Sequence, residues 1–277
     1  MITTIESTAS KITFDLHNDV SILTEQLSIK PLKIVNPKPQ KQTGVCMLTS
    51  YGGGFVEGDV VELDVLCKAG TTSIISSQAN TRVYESNGVQ CKQKLDLKIE
   101  KNAFHVFFND PLVMHNGGNF IQENTIQLKA DSVLLFIDWF SAGRTANGES
   151  FAFQNFETST KIEQEKETIL WDNFKITPEN MDVHSPGMFG DHSSFLNLFL
   201  IGDKESTKVK LIEEALIQFH TIIGSDVQNN LTRINDTSLV GRYSANKITA
   251  LKKIMIEVST ILAHEALLNY DHLERKY

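Results

Sequence analysis

Hydrophobic and polar positions alternate with a period of two along most of the chain between residues 10 and 177. VVELDVLC (60–67) is the clearest case: Val61, Leu63 and Val65 point one way, and Glu62 and Asp64 point the other. KLDLKIE repeats the pattern with Leu95, Leu97 and Ile99. SKITFDLHNDVSI (10–22) alternates weakly and reads as one strand. LSIKPLKIVNPKP carries three prolines and is restricted to an edge strand or extended loop. VCMLTSY (45–51) and SVLLFIDWFSAG are nearly continuous apolar runs of strand length, and TTSIISSQ is rich in β-branched residues. Asn87-Gly88, between VYES and VQCKQKLDLKI, predicts a two-residue hairpin. AFHVFFNDPLVMHNGGNFIQENTIQLKA predicts strand, proline loop, Gly-Gly turn and strand. ESFAFQNFETSTKIEQEKETILWDNFKIT predicts three more strands, with Phe151, Phe153 and Phe156 on one face.

The period changes after Thr177. PENMDVHSPGMFGDHSSF reads as loop and SFLNLFLIG as a strand. Helical spacing of apolar residues predicts helices at about 206–223 and about 246–269, with SLVGRYS as a short strand or turn between them. Strand after strand with turn signals implies a sandwich, barrel or stacked-sheet β architecture. Two helices joined by a short strand are expected to pack on that body, at about 10–202, rather than form a separate domain. No sequence repeat is evident.

Composition narrows the possibilities little. A chain of 277 residues, 41% hydrophobic, is long enough for a substantial core. Its net charge of −8 argues against non-specific nucleic-acid binding and is compatible with handling cations, although most acidic proteins handle none. The N-terminal MITTIESTASKITFDL has neither the basic nor the apolar region of a secretory leader. No run approaches the roughly 18 apolar residues of a membrane span. Cys46, Cys67 and Cys91 are odd in number and widely spaced, so neither a disulfide framework nor a CxxC metal site is expected, and a cytoplasmic setting is the simplest reading.

Searches for chemistry mostly fail. GGGFVEGD lacks the Gly-Lys-Ser/Thr of a phosphate loop and leads into a strand. No GxSxG, HExxH or EF-hand is present. HSPGMFGDH brings His184 and His192 near each other, on a loop that reads more readily as surface. Met114-His115 beside Asp110 offers soft and borderline ligands to a nickel-like ion, or is simply a loop. Asp59, Glu62 and Asp64 lie close together; Glu62 and Asp64 on one face would stand about 7 Å apart and line a polar channel or face water. Asp138 interrupts an apolar strand, so it must be paired or reach a wet cavity, with Arg144 an available partner. Arg144 and Glu149 also suit an internal ion pair of a Gly-Arg/Gly-Glu turn.

PLKIVNP, SYGGGFVEGDVVELDV, SSQANTRVYES, FFNDPLVMHNGGNFIQ, FIDWFSAGRTANGESF, FLNLFLIG and SLVGRYSANKITALKKIMIEV follow one another along most of the chain. Taken together and in this order, they resemble the urease accessory protein UreD (UreH) family. The matched motif positions include Gly52, Gly53, Gly54, Gly58, Gln78, Thr81, Arg82, Tyr84, Gly143, Arg144 and Gly148. Arg82 stands where the family commonly has Lys, Asn147 where many members have a basic residue, and the chain ends in HLERKY without the family's Pro-Arg-x-Trp-like ending.

The resemblance implies a mainly β, many-stranded, stacked-sheet or β-helical-like single domain over 1–277, with two α-helices in the C-terminal third. It implies a maturation factor rather than an enzyme. Such a factor binds apo-urease and a UreF-like partner, reaches a UreG-like GTPase through it, and assists nickel delivery. Nucleic acid and membrane are not expected partners, and nickel would be in transit, not a stably bound cofactor. A passing ion needs weak, multiple ligands. The expected polar lining includes Asp59, Glu62, Asp64, Asp138, Glu149 and His115, and Gln78, Asn80, Thr81 and Arg82 form a second candidate patch. Poor solubility of the family without UreF implies exposed apolar surface, expected at the two helices and the loop 178–194. The alternatives are a metal-dependent β-fold enzyme, which would need converging His or Cys ligands, and a structural adaptor with no ion path.

Overall fold

The computed structural model describes residues 9–221 and 223–275; residues 1–8 of the N-terminal stretch read above and Ile222 of the first predicted helix lie outside it. The chain runs through β1 (Ser10–His17), β2 (Val20–Leu27), β3 (Leu32–Val35), β4 (Gly44–Ser50) and the short β5 (Gly54–Phe55). Then come β6 (Val60–Cys67), β7 (Thr72–Ser77), β8 (Thr81–Val83) and β9 (Cys91–Ile99). β10 (Phe104–Phe108), β11 (Leu112–Met114), β12 (Asn119–Leu128), β13 (Val133–Ser141), β14 (Asn155–Gln164) and β15 (Glu167–Ile176) follow. The C-terminal third holds β16 (Ser194–Ile201), α1 (Thr207–His220), β17 (Val227–Asn235), β18 (Ser238–Ala245) and α2 (Ile248–Leu262).

These strands form two stacked sheets. An outer sheet is ordered β15-β14-β12-β9-β6-β1-β2, and a middle sheet β17-β18-β16-β13-β10-β7-β4-β3. The chain winds between them as a solenoid: β4, β7, β10 and β13 are parallel in the middle sheet, and β6, β9, β12 and β14 are parallel in the outer one. Short β5, β8 and β11 pair side by side at the corner between the sheets. There Gly54, Arg82 and Val113 stand in one row that continues to Ser141. The repeat invisible in the sequence is therefore one of backbone path, not of side chains.

Two cores follow from this layering. Inward residues of both sheets, such as Ile12, Leu63, Leu97, Phe120, Phe136 and Phe199, make the first. The far face of the middle sheet packs Val106, Leu135, Ile137 and Leu198 against Val209, Leu216, Leu251 and Ile254 of the helices, making the second. This is why β13 reads as an unbroken apolar run: both its faces are buried, whereas the outer sheet keeps one wet face and alternates cleanly.

Local signals misled in a few places. Asn18 and Asp19 both have positive φ (50° and 63°) and split the single strand expected at 10–22 into the β1–β2 hairpin. Asn87-Gly88 makes no hairpin, because β8 lies at the corner while β9 pairs with β6 and β12. Residues 151–153 form no strand, so 149–177 supplies two strands rather than three. Both helices are shorter than their apolar periodicity suggests, and β17 was not foreseen. Beyond α2, Leu267 and Leu268 are buried off the helix, and Asn269 has a φ of 56°. Ile217 and Ile256 on the helices are each 52% exposed.

Candidate functional site

The space between the sheets is apolar at most levels and polar at one. On β12 the inward series is Phe120, Gln122, Asn124, Ile126; on β14 it is Phe156, Thr158, Thr160, Ile162. Asn124 Nδ2 donates to Thr160 Oγ1 at 2.9 Å. From the opposite sheet Asp138 faces this belt, accepting from Gln122 Nε2 at 3.0 Å and from Thr158 Oγ1 at 3.5 Å. Asp138 therefore points into the first core, while its neighbours Ile137 and Trp139 point at the helices. Its partner is Gln122, not the Arg144 suggested by the sequence.

A cavity of about 40 Å³ opens here, lined by Gln93, Asn109, Asp110, Gln122, Asn124 and Asp138 among others. Asn109 Oδ1 is enclosed and has no hydrogen-bond partner. Asp110 is anchored by Ser77, whose Oγ donates to it at 2.9 Å. Towards β3 and β4 a second cavity, of about 50 Å³, shares Thr81, Gln93, Phe107 and Asn109 with the first. In the other direction the last strands of the two sheets leave an open groove of about 370 Å³, lined by Phe140, Phe174, Phe195, Asn197 and Arg242 among others. One polar cavity thus lies between a mainly apolar cavity and a groove rich in phenylalanine along the stacking direction.

Burial pushes the Asp138 carboxyl up to about 6, the nearby Asp172 adds to the rise, and the Gln122 and Thr158 hydrogen bonds offset part of it. Asp138 is thus mainly ionised at neutral pH. One carboxylate among amide and hydroxyl oxygens can attract a cation without caging it. Among the described residues no group of three or more His, Cys, Asp or Glu could hold a metal ion.

The other candidates are dispersed. Glu62 and Asp64 lie on the wet face of the outer sheet, in register with Lys94 and Asp96. Their carboxylates point to water, not to an interior channel. Asp59 accepts from the Val56 amide at 2.8 Å and holds its own turn. Glu149 accepts from Arg144 Nε at 2.9 Å and from the Asn116 amide at 2.8 Å, the internal pair considered from sequence. His115 packs edge-on against Tyr84 at 5.2 Å, and its Nε2 is enclosed without a partner. Burial and the Arg144 and Arg82 charges lower its pKa, against the opposing pull of Glu149.

The matched motif positions gather at the solenoid corner. Gly52, Gly53, Gly58 and Gly148 have positive φ. A Cβ on Gly54 would sit 2.2 Å from the Arg82 carbonyl oxygen, and one on Gly143 would sit 2.3 Å from that of Glu149. Tyr84 Oη donates to the Gly52 carbonyl at 3.2 Å. The Gln78 amide donates to Leu48 at 2.8 Å and that of Thr81 to Pro111 at 3.2 Å. Asn80 is half-buried and Arg82 exposed. These residues shape successive turns; of the residues singled out from sequence, Asp138, Thr81 and Asp110 line the central cavity.

Sequence reasoning missed Gln93, Asn109, Gln122, Asn124, Asp172, Asn197 and Arg242. The available signal was a polar residue at an inward position of an alternating strand, as in NFIQENTIQL and SFLNLFLI.

Comparison with known proteins bears on the whole chain. Residues 7–276 match the family described as UreD urease accessory protein. A protein of Cytophaga hutchinsonii named urease accessory protein UreD is 38% identical over 270 residues, covering 94% of each chain. One of Sorangium cellulosum with the same name is 27% identical over 69% of this chain and 61% of its own. Urease accessory protein D of Arabidopsis thaliana is 26% identical over 70% of this chain and 68% of its own. With its length matched almost end to end and a relative that similar, the chain belongs to the UreD family of urease accessory proteins.

Proposed function

We propose that this protein is a cytoplasmic urease maturation factor that acts without catalytic turnover. It binds apo-urease together with a UreF-like partner and, through it, a UreG-like GTPase. It assists GTP-dependent delivery of nickel to the urease active site. Nickel is cargo in this reading and does not stay bound. The route runs between the sheets through the polar cavity, and Asp138 is its central ligand.

What carries the reading is family membership over nearly the whole chain; Asp138 at the polar cavity gives it a residue. No described helix is long and apolar enough to cross a membrane. The test is Asp138→Asn in cells that also make urease and the partner proteins. Complex assembly is followed by pull-down, and urease by nickel content and activity. Assembly is expected to persist while nickel loading falls at least about tenfold, the loss of one favourable charge interaction of about 1.4 kcal/mol or more. Normal loading by this variant would leave a structural adaptor without an ion path. Normal loading after deletion of the whole chain would sink the maturation role itself.

A further inference from the structure

Arg242 lines the open groove on the strand row that leads from Asp138 of the inner cavity. In the middle sheet Asp138 is in register with Asn197, and Asn197 with Arg242. Arg242 lies on the inward side of β18, between Leu239 and Tyr243, which face the helices, and the groove that it lines. Its Nη2 donates to Asp172 Oδ1 at 2.6 Å, and its Nη1 to Asn197 Oδ1 at 3.4 Å. Asp172 belongs to β15 in the outer sheet, so the ion pair spans the gap between the sheets. The cavity at Asp138 and the groove share no lining residue: Asp138 lines the first, and its register neighbours Asn197 and Arg242 line the second.

We propose that Arg242 is an electrostatic gate on this interior passage: paired with Asp172 it closes the groove end to cations, and released from Asp172 it opens that end. The proposal rests on the passage reading above. A guanidinium is charged at every physiological pH, so its presence in the opening repels a divalent cation irrespective of pH. The pair also neutralises Asp172, which would otherwise be a second carboxylate beside Asp138.

The lock is releasable. The Arg242 side chain is 53% exposed and faces an open groove, whereas Asp172 is only 13% exposed and stays in place. When Arg242 swings outward, the passage gains Asp172 and Asn197 next to Asp138 and the unpartnered Asn109 Oδ1, an oxygen-rich path for a divalent ion.

An electrostatic gate and a simple structural bridge respond differently when each partner is removed singly. The probe is Ni²⁺ itself, titrated into the chain alone at pH 7.5 against a chromophoric chelator. Arg242→Gln is expected to bind Ni²⁺ at least about tenfold tighter than the wild type, a 1.4 kcal/mol gain. Asp172→Asn leaves the guanidinium unopposed and is expected to bind no tighter. Arg242→Lys keeps the charge and is expected to match the wild type. Adding Asp138→Asn to Arg242→Gln is expected to abolish the gain. The gate is overturned if Arg242→Gln and Asp172→Asn shift affinity alike, if neither shifts it, if the lysine variant behaves as the glutamine one, or if the gain survives Asp138→Asn. Failure of the passage itself reads out separately, as normal urease loading by Asp138→Asn alone.

Discussion

Two enclosed side chains set opposite pH slopes on stability. His105 Nδ1 meets Ser73 Oγ at 2.8 Å while its Nε2 has no partner, and burial pushes its pKa down to about 3. The unfolded chain therefore takes up that proton first, near 6.5. The stability that neutral His105 contributes is complete above about 6.5 and is lost as pH falls towards 3, by about 2 kcal/mol between pH 7 and 5. Asp138 works the other way. Its folded pKa of about 6 lies above its unfolded value of 3.8, so ionising it in place destabilises the fold as pH rises through that window. Urea unfolding from pH 4.5 to 7.5 is the check. His105→Leu is expected to flatten the acid limb. Asp138→Asn is expected to be more stable than the wild type by about 3 kcal/mol at pH 7, with the gap closing near pH 4. An Asp138 that weakens the fold where its charge serves the proposed route fits a residue kept for function.

At the scale of elements, the corner turns are held by close backbone approach. Gly54→Ala would put a Cβ 2.2 Å from the Arg82 carbonyl and force β5 and β8 apart. Gly52 differs in kind: its backbone is left-handed, with φ 78°, but nothing lies within 4 Å of its added Cβ. Gly52→Ala is expected to lose about 1–2 kcal/mol through strain alone, and Gly54→Ala more than about 3 kcal/mol or soluble expression altogether. Denaturant midpoints would separate the two, and equal losses would count against the close-contact account. The helices are pinned by burial: Leu251→Ala should lose about 2–5 kcal/mol. Ile256→Ala, half exposed, should change stability by no more than about 0.5 kcal/mol.

For the whole molecule, each coil of the solenoid leans mainly on its neighbours, so protection should grade from centre to ends. Amide hydrogen exchange is expected to be slowest in β9, β10, β12 and β13, which have partners on both sides, and fastest in the edge strands β15 and β17. Uniform protection would instead indicate a single cooperative block. The two edges at the groove end flank the Arg242–Asp172 pair, so the proposed gate sits where the structure opens most easily.

Alternation by itself determined most of the strands, their inward faces and the two C-terminal helices, because side-chain period is a local property of the backbone. The motifs determined the family, since their order survives in one dimension. Pairing was beyond the sequence: β6 and β9, or β10 and β13, join residues some 30 positions apart, and no local signal encodes such a register. Asn87-Gly88 shows the limit, a sound hairpin signal overridden by parallel stacking. Glu62 and Asp138 show it for the site. Both are carboxylates in strands, and only the layering of the two sheets sends one to water and the other to a cavity. The gate belongs wholly to tertiary structure, because Arg242 and Asp172 meet across two sheets and only the fold brings them together.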